Sequence, residues 1–219
     1  MSAASLTTEL ETKIVALSRR CIQAMYEDPF WMARFGERGR RHAEQDSEFH
    51  VKYIASALRA DDVALFENYA RWLRGVLASR GMCSWHLSES FRQLAAAMHA
   101  EGVAEPEPAL AVLDAGRAAL HYQTGDAAPL AVQSTTTLGA LRDRLGEDSY
   151  RLEELWSFLL DSVDRQDASA FRGHVDFLSR TLVADEAERL KLARTLSALQ
   201  ALAAPHMPVE LAERLFSPA

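Results

Sequence analysis

Apolar residues in this chain recur at steps of three and four along most of its length. That spacing places apolar side chains on one face of an α-helix. Alternation of apolar and polar residues over the length of a strand is not found. We therefore predict an all-α protein, a multi-helix bundle of about nine to eleven helices. The predicted segments are about 7–27, 41–59, a helix between Asp62 and Gly81, another from Ser84 to about Met98, then about 108–122, 149–164, 168–183 and 186–203, and a short one after Pro208.

A second regularity is an internal repeat at an offset of 105 residues. Without a gap, this shift aligns three successive amphipathic helices. Asp62, a predicted N-cap, meets Asp167, and Phe66 meets Phe171. Identities are few, so the prediction depends on the matched caps and apolar register. It predicts two related helical halves, residues 1–105 and 106–219, packed as one unit.

One helix face begins with polar residues before it becomes apolar. His42, Asp46 and His50 are spaced by four residues, and Ile54 follows at the same spacing. Side chains four apart lie on one helix face, so His50 is expected to project inward. The repeat places Leu155 at the position of His50. The first half therefore carries a polar group where the second carries leucine, which makes His50 the principal candidate for a functional residue.

Two interpretations of this face need no metal. In the first, Asp46 accepts a hydrogen bond from a partly buried His50, and the residues serve only the fold. In the second, a small ligand lies between helices and contacts His50. Arg38 and Arg41 then pair with a carboxylate or phosphate group of that ligand.

The third interpretation is a transition-metal or tetrapyrrole site. His42, Asp46 and His50 offer nitrogen and oxygen donors one helical turn apart, which suits zinc or iron. His174, which aligns with Tyr69 in the repeat, is a further candidate ligand and is expected to be buried. The sequence contains neither Glu-x-x-His nor His-Glu-x-x-His, the signatures of di-iron bundles and zinc proteases.

The aromatic residues of the helix after Asp62 form a stripe at helical spacing. Phe66, Tyr69 and Trp72 lie three residues apart. Such a stripe is more typical of core packing than of a cofactor site, so we predict that all three are buried.

Composition and charge narrow the partners. The formal net charge is −7, which argues against nucleic acid as a partner. The two cysteines form no Cys-x-x-Cys motif, as expected in a reducing compartment. No apolar run approaches the ~18 residues of a membrane helix, and the first twenty residues do not resemble a secretory signal. We therefore expect a cytoplasmic protein that binds neither nucleic acid nor membrane.

Residues 34–82 carry a recognisable combination of motifs. They are Arg34-Phe35-Gly36-Glu37-Arg38-Gly39, then Asp46, His50 and Tyr53, then Ala64-Leu65-Phe66, Tyr69 and Trp72-Leu73. This segment resembles the helical region that precedes the corrinoid-binding module of bacterial cobalamin-binding regulatory proteins. Residues 152–182 are more loosely similar to the helical cap over the corrin ring. The Asp-x-His-x-x-Gly loop that supplies the axial histidine in that family is absent, so the resemblance implies a free-standing helical sensor or adaptor.

These observations lead to one functional hypothesis with two alternatives. The first is a non-enzymatic helical sensor or adaptor module in bacterial regulation, with a protein partner or a second copy of the chain bound to it and a small ligand near His50. The second is a tetrapyrrole- or metal-binding helical protein that acts as an enzyme. The third is a structural dimerisation module.

Overall fold

The computed structural model describes the backbone of residues 3–217 and the side chains of residues 4–132 and 136–217. Within that range the chain forms ten α-helices and no strand, which confirms the predicted all-α fold. No helix in the described range is both long and apolar enough to cross a membrane. The helices are α1 (Ala3–Met25), α2 (Pro29–Ala60), α3 (Ala64–Ala78), α4 (Ser84–Ala100), α5 (Glu107–Ala119), α6 (Ala128–Leu145), α7 (Leu152–Asp164), α8 (Ser169–Phe177), α9 (Glu186–Ala203) and α10 (Val209–Phe216).

The helices divide into two compact units. Unit 1 contains the chain up to Gly75 together with His86–Leu120, and unit 2 contains Val76–Trp85 together with the chain from His121. The predicted boundary at residue 105 falls inside unit 1, because α5 belongs to that unit.

The core of unit 1 explains why α5 belongs to it. Gly116 of α5 lies so close to Phe66 of α3 that a β-carbon on Gly116 would come within 2.3 Å of the ring. Only a residue without a side chain permits this approach. The largest fully buried side chains of the unit include Leu10, Leu17, Phe30, Ile54, Phe66, Leu87, Phe91, Leu94, Met98 and Leu113.

Unit 2 is built around α7, on which nearly every residue is buried. Asp161 is a buried carboxylate that accepts three hydrogen bonds, from the Ser84 amide (2.8 Å), the Ser84 hydroxyl (2.7 Å) and the Tyr122 hydroxyl (2.7 Å). These bonds join the segment Val76–Trp85 to the helices that follow residue 121. Sequence periodicity did not indicate this assignment, because the partners of Asp161 are 77 and 39 residues away.

One departure from the predicted helices is the N-terminal part of α2. The sequence predicts a helix over about 41–59, yet α2 already begins at Pro29. Only Gly36 is non-helical, with φ 60° and ψ −169°, which kinks the helix. The helical turn before the kink is anchored by Phe30 and Trp31, which pack against His86 with ring centroids 4.9 and 5.0 Å apart. Helix α6 was not predicted either, because its polar run Gln-Ser-Thr-Thr-Thr obscures the apolar period.

The repeat is visible in how α2 and α7 end. Asp61 and Gln166, which are 105 residues apart, both adopt the left-handed conformation, with φ 50° and 53°. Left-handed residues are rare outside glycine, so their occurrence at equivalent positions indicates the same helix–helix turn. The next amide in each copy donates back into the helix at 3.0 Å: Asp62 to the Ala57 carbonyl, and Asp167 to the Ser162 carbonyl.

The matched aspartates both bind the start of the next helix, although Asp167 stands one residue before the N-cap position of α8. The Asp62 carboxylate accepts the Ala64 amide at 3.0 Å, and the Asp167 carboxylate accepts the Ser169 amide at 2.9 Å. An aspartate before the first turn satisfies an amide that has no carbonyl partner within the helix. The offset of 105 therefore relates two helical hairpins, α2–α3 in unit 1 and α7–α8 in unit 2.

Candidate functional site

His50 lies inside unit 1, as its position in the helix pattern predicts. Its side chain is 5% exposed, and its Nδ1 lies 2.7 Å from the Tyr69 hydroxyl oxygen. The ring also meets the Phe91 ring edge-on, with centroids 5.2 Å apart. Burial disfavours the charged imidazolium and lowers the pKa of His50 to about 4. The imidazole is therefore neutral at neutral pH and can either donate to or accept from a hydroxyl.

His50 has a hydrogen-bond partner that helical spacing did not suggest. Helical spacing nominated Asp46, whereas the group on Nδ1 comes from Tyr69 on the neighbouring helix α3. Burial raises the pKa of Tyr69, and repulsion from the Tyr53 phenolate, which forms only at high pH, and from the Asp46 carboxylate raises it further. The Tyr69 hydroxyl therefore stays protonated and forms a neutral pair with the imidazole.

The other predicted site residues do not join His50 in the interior. Arg38, Arg41, His42 and Asp46 are all exposed on α2. Among the described side chains, residues 4–132 and 136–217, no group of three or more His, Cys, Asp or Glu residues could hold a metal ion. A small ligand, a tetrapyrrole or a metal at these residues stays a prediction, which absorbance spectra with added haem or cobalamin and elemental analysis would test.

His174, the remaining candidate ligand, is buried in unit 2 within a charged cluster. Its Nε2 lies 3.1 Å from a carboxylate oxygen of Glu154, which is itself buried. Arg151 pairs with the same carboxylate. The positive charge of Arg151 balances the negative charge of Glu154, so the two residues can act as an internal ion pair that positions His174. The expected burial of His174 is confirmed.

The two hairpins share a stacked ring pair. In unit 1 the rings of Tyr53 and Tyr69 are stacked with centroids 3.9 Å apart and an interplanar angle of 14°. The equivalent rings of Phe158 and His174 in unit 2 are stacked at 4.0 Å and 18°. The side chains changed between the copies while the geometry did not.

The copies differ in which face of the first hairpin helix is covered. Along α2 and α7 most equivalent positions have similar burial; His50 and Ile54, for example, are buried like Leu155 and Leu159. Four positions on α2 are exposed where their equivalents on α7 are buried, and they follow the i, i+3, i+4, i+7 spacing of one helix face. They are Phe49, Lys52, Tyr53 and Ser56, and the equivalents are Glu154, Ser157, Phe158 and Asp161.

This exposed stripe is rich in aromatic side chains. Phe49 is 51% exposed and Tyr53 40% exposed, and on the adjacent helix α3 Trp72 is 62% exposed. Tyr69 connects the two helices, because its ring stacks on Tyr53 and lies 6.1 Å from the centroid of Trp72. We call the surface formed by Phe49, Lys52, Tyr53, Ser56 and Trp72 the aromatic face.

The prediction that the aromatic stripe of α3 is core was wrong at one residue. Phe66 and Tyr69 are buried, as predicted, but Trp72 is not. Helical spacing places Trp72 next to Tyr69, but it does not indicate how much of the helix surface the core covers. The exposure of Trp72 therefore could not be predicted from spacing. The sequence analysis did not identify Phe49 as a site residue. Its equivalent in the repeat is the charged residue Glu154, and this difference marks Phe49 as unusual.

Comparisons with known proteins add no residue roles to the contacts described above. No family model, curated protein or solved structure matches the chain. The geometry of unit 1 and its difference from the second copy of the hairpin therefore define the candidate site.

Proposed function

We propose that this protein is a non-enzymatic helical adaptor or sensor module that binds a protein partner through the aromatic face of unit 1. The observation that carries the proposal is the cluster of exposed Phe49, Tyr53 and Trp72 side chains. Single exposed apolar residues are common, but adjoining large ones are typical of interaction sites. Tryptophan and tyrosine also contribute disproportionately to the free energy of protein–protein binding.

The support beneath the aromatic face favours binding. Tyr53 stacks on Tyr69, whose hydroxyl lies 2.7 Å from Nδ1 of the buried His50. A side chain held by such contacts has little rotamer freedom left to lose when a partner binds. His50 thereby supports the site from beneath, which is consistent with a binding module.

The surface surrounding the aromatic face carries charges of both signs. Lys52 extends over the Phe49 ring, with its ammonium nitrogen 4.9 Å from the centroid and 3.7 Å from a Glu48 carboxylate oxygen. On α3, Arg71 pairs with Glu67 at 3.1 Å. An apolar centre with a charged rim is the usual anatomy of a protein–protein interface.

The experiment is site-specific photo-cross-linking in the native host. A photoreactive phenylalanine analogue replaces Trp72 in one strain and Met32 in another. Met32 is also exposed, but it lies on α2, before the kink at Gly36. We expect a protein adduct that forms from position 72 and not from position 32, identified by mass spectrometry.

The identified protein is then purified and titrated against three forms of the chain. Trp72→Ala should weaken binding tenfold or more, because a buried interface tryptophan typically contributes about 2 kcal/mol or more. Met32→Ala should bind like the wild type. Adducts that are identical from positions 72 and 32, or a partner whose affinity is unchanged by Trp72→Ala, would refute the proposal.

A further inference from the structure

The second copy of the hairpin shows what covers its equivalent face. In unit 2 the short segment Cys83–Trp85 runs along α7. The Trp85 amide donates to the Ser157 hydroxyl at 2.8 Å, and both the amide and the hydroxyl of Ser84 donate to Asp161. The Cys83 thiol points to the Glu154 carbonyl at 3.9 Å. The segment is the entry to α4, whose first residue is Ser84.

The residues that hold this segment are those whose unit 1 equivalents are exposed. Glu154, Ser157 and Asp161 correspond to Phe49, Lys52 and Ser56 through the offset of 105. All three residues of α7 are buried, and all three of α2 are exposed. Because the hairpin turns, caps and stacked rings agree between the copies, this contrast reports a covering segment in unit 2 that unit 1 lacks.

We infer that the aromatic face binds a short polypeptide segment of the partner, the first turn of a helix with the residue before it, at the place equivalent to that of Cys83–Trp85 in unit 2. The inference rests on the proposed function, since it names the kind of partner that the face accepts. A second copy of the chain docking face to face is the competing occupant. The observation that favours a segment is that the equivalent face already binds one.

The substitutions between the copies specify the chemistry of the segment. Lys52 stands where Ser157 accepts an amide, but an ammonium group only donates hydrogen bonds. The partner must therefore present an acceptor there, and a carboxylate in the first turn of a helix both pairs with lysine and suits the helix dipole. Ser56 donates its hydroxyl proton to the Lys52 carbonyl at 2.8 Å, which leaves its oxygen able to accept one backbone amide.

The aromatic rings specify the second feature of the segment. Phe49 and Tyr53 replace Glu154 and Phe158, and Trp72 replaces Phe177. Their exposed faces suit a bulky aliphatic or aromatic side chain, which would bury apolar area and exclude water. The segment therefore combines one large apolar anchor with an acidic residue at the start of a helix.

The test is selection of random peptides displayed on phage against the purified full chain. Enriched peptides are synthesised with a fluorescent label, and their affinity is measured by anisotropy. We expect enriched sequences to share an apolar anchor and an acidic residue. Phe49→Ala and Trp72→Ala should weaken binding at least tenfold, Lys52→Arg should retain it, and Lys52→Glu should abolish the preference for the acidic residue. Met32→Ala is the matched control, and far-ultraviolet circular dichroism verifies the fold of each variant.

The outcomes separate this inference from the proposed function. Peptides that bind every variant equally, or no enrichment at all, would overturn the inference. Sedimentation equilibrium that shows a dimer dissociated by Trp72→Ala would also overturn it in favour of a second copy, while docking at the aromatic face would stand. If position 72 yields no specific adduct in the host, the proposed function fails regardless of the peptides selected.

Discussion

At the scale of single residues, His50 has a partner that its side-chain pattern does not suggest. On sequence alone it is one member of a polar ladder with His42 and Asp46. In the folded unit His50 is buried, whereas His42 and Asp46 are exposed. Its Nδ1 contacts the hydroxyl of Tyr69, a residue 19 positions away. The same pair lies beneath Tyr53 at the surface, because the Tyr69 ring stacks on the Tyr53 ring.

The depressed pKa of His50 gives the stability of unit 1 a defined pH dependence. Above pH 6.5 the imidazole is neutral in both the folded and unfolded chain. Between pH 6.5 and about 4 the unfolded chain binds a proton that the folded chain does not. The free energy of unfolding should therefore fall over this window, by on the order of 3 kcal/mol.

The variant that tests this is His50→Leu, which introduces the residue found at position 155 of the second copy. Urea unfolding from pH 7 to pH 4 should show the wild type losing stability relative to the variant as the pH falls. His42→Leu, at an exposed position, is the control and should follow the wild type. Curves for wild type and His50→Leu that remain parallel would show that His50 does not carry the effect.

At the scale of elements, the unit that repeats is a helical hairpin with a fixed turn. Its two helices are joined by a left-handed residue and then a capping aspartate, Asp61 and Asp62 in one copy and Gln166 and Asp167 in the other. The sequence comparison located the aspartates correctly because capping requires a particular side chain. It could not locate the left-handed residues, because aspartate and glutamine have nothing in common that indicates that conformation.

We expect the two caps to contribute equally to stability. Asp62→Ala and Asp167→Ala should each lower the free energy of unfolding by about 1 kcal/mol, because each leaves a first-turn amide without its acceptor. Asp62→Ser and Asp167→Ser, which keep a capping oxygen, should lose only a fraction of that. Chemical denaturation measures all four variants, and an alanine variant as stable as its serine counterpart would contradict the role of the cap.

At the scale of the whole molecule, the chain order and the division into units do not coincide. The segment Val76–Trp85 lies between two stretches of unit 1 in the sequence but belongs to unit 2. Hydrogen bonds from Ser84 and Trp85 to α7 account for this assignment. The segment that interrupts unit 1 in the sequence thus covers, on α7, the face whose equivalent on α2 is exposed.

This division predicts which residues lose local stability when Asp161 is replaced. Asp161→Ala removes the acceptor of three hydrogen bonds from buried donors and should cost roughly 2 kcal/mol or more. Hydrogen exchange followed by mass spectrometry should show faster exchange in residues 76–85 together with residues beyond 121. Glu153 lies on the same helix as Asp161, and Glu153→Ala removes only an exposed ion pair with Arg142 of α6. This variant should change the exchange rates little. Unchanged exchange in residues 76–85 after Asp161→Ala would contradict the assignment.

The sequence by itself determined the helical class, most helix positions, the caps and the repeat. These follow from periodicity and local hydrogen bonding, which act between residues a few positions apart. Only the tertiary structure decided that Tyr69 pairs with His50, that Trp72 is exposed, and that Cys83–Trp85 lies on α7. Each of those depends on contacts between distant positions, and a helix pattern states which side chains share a face without stating what covers that face. The candidate site of this protein is a face that one copy of the hairpin covers and the other leaves open.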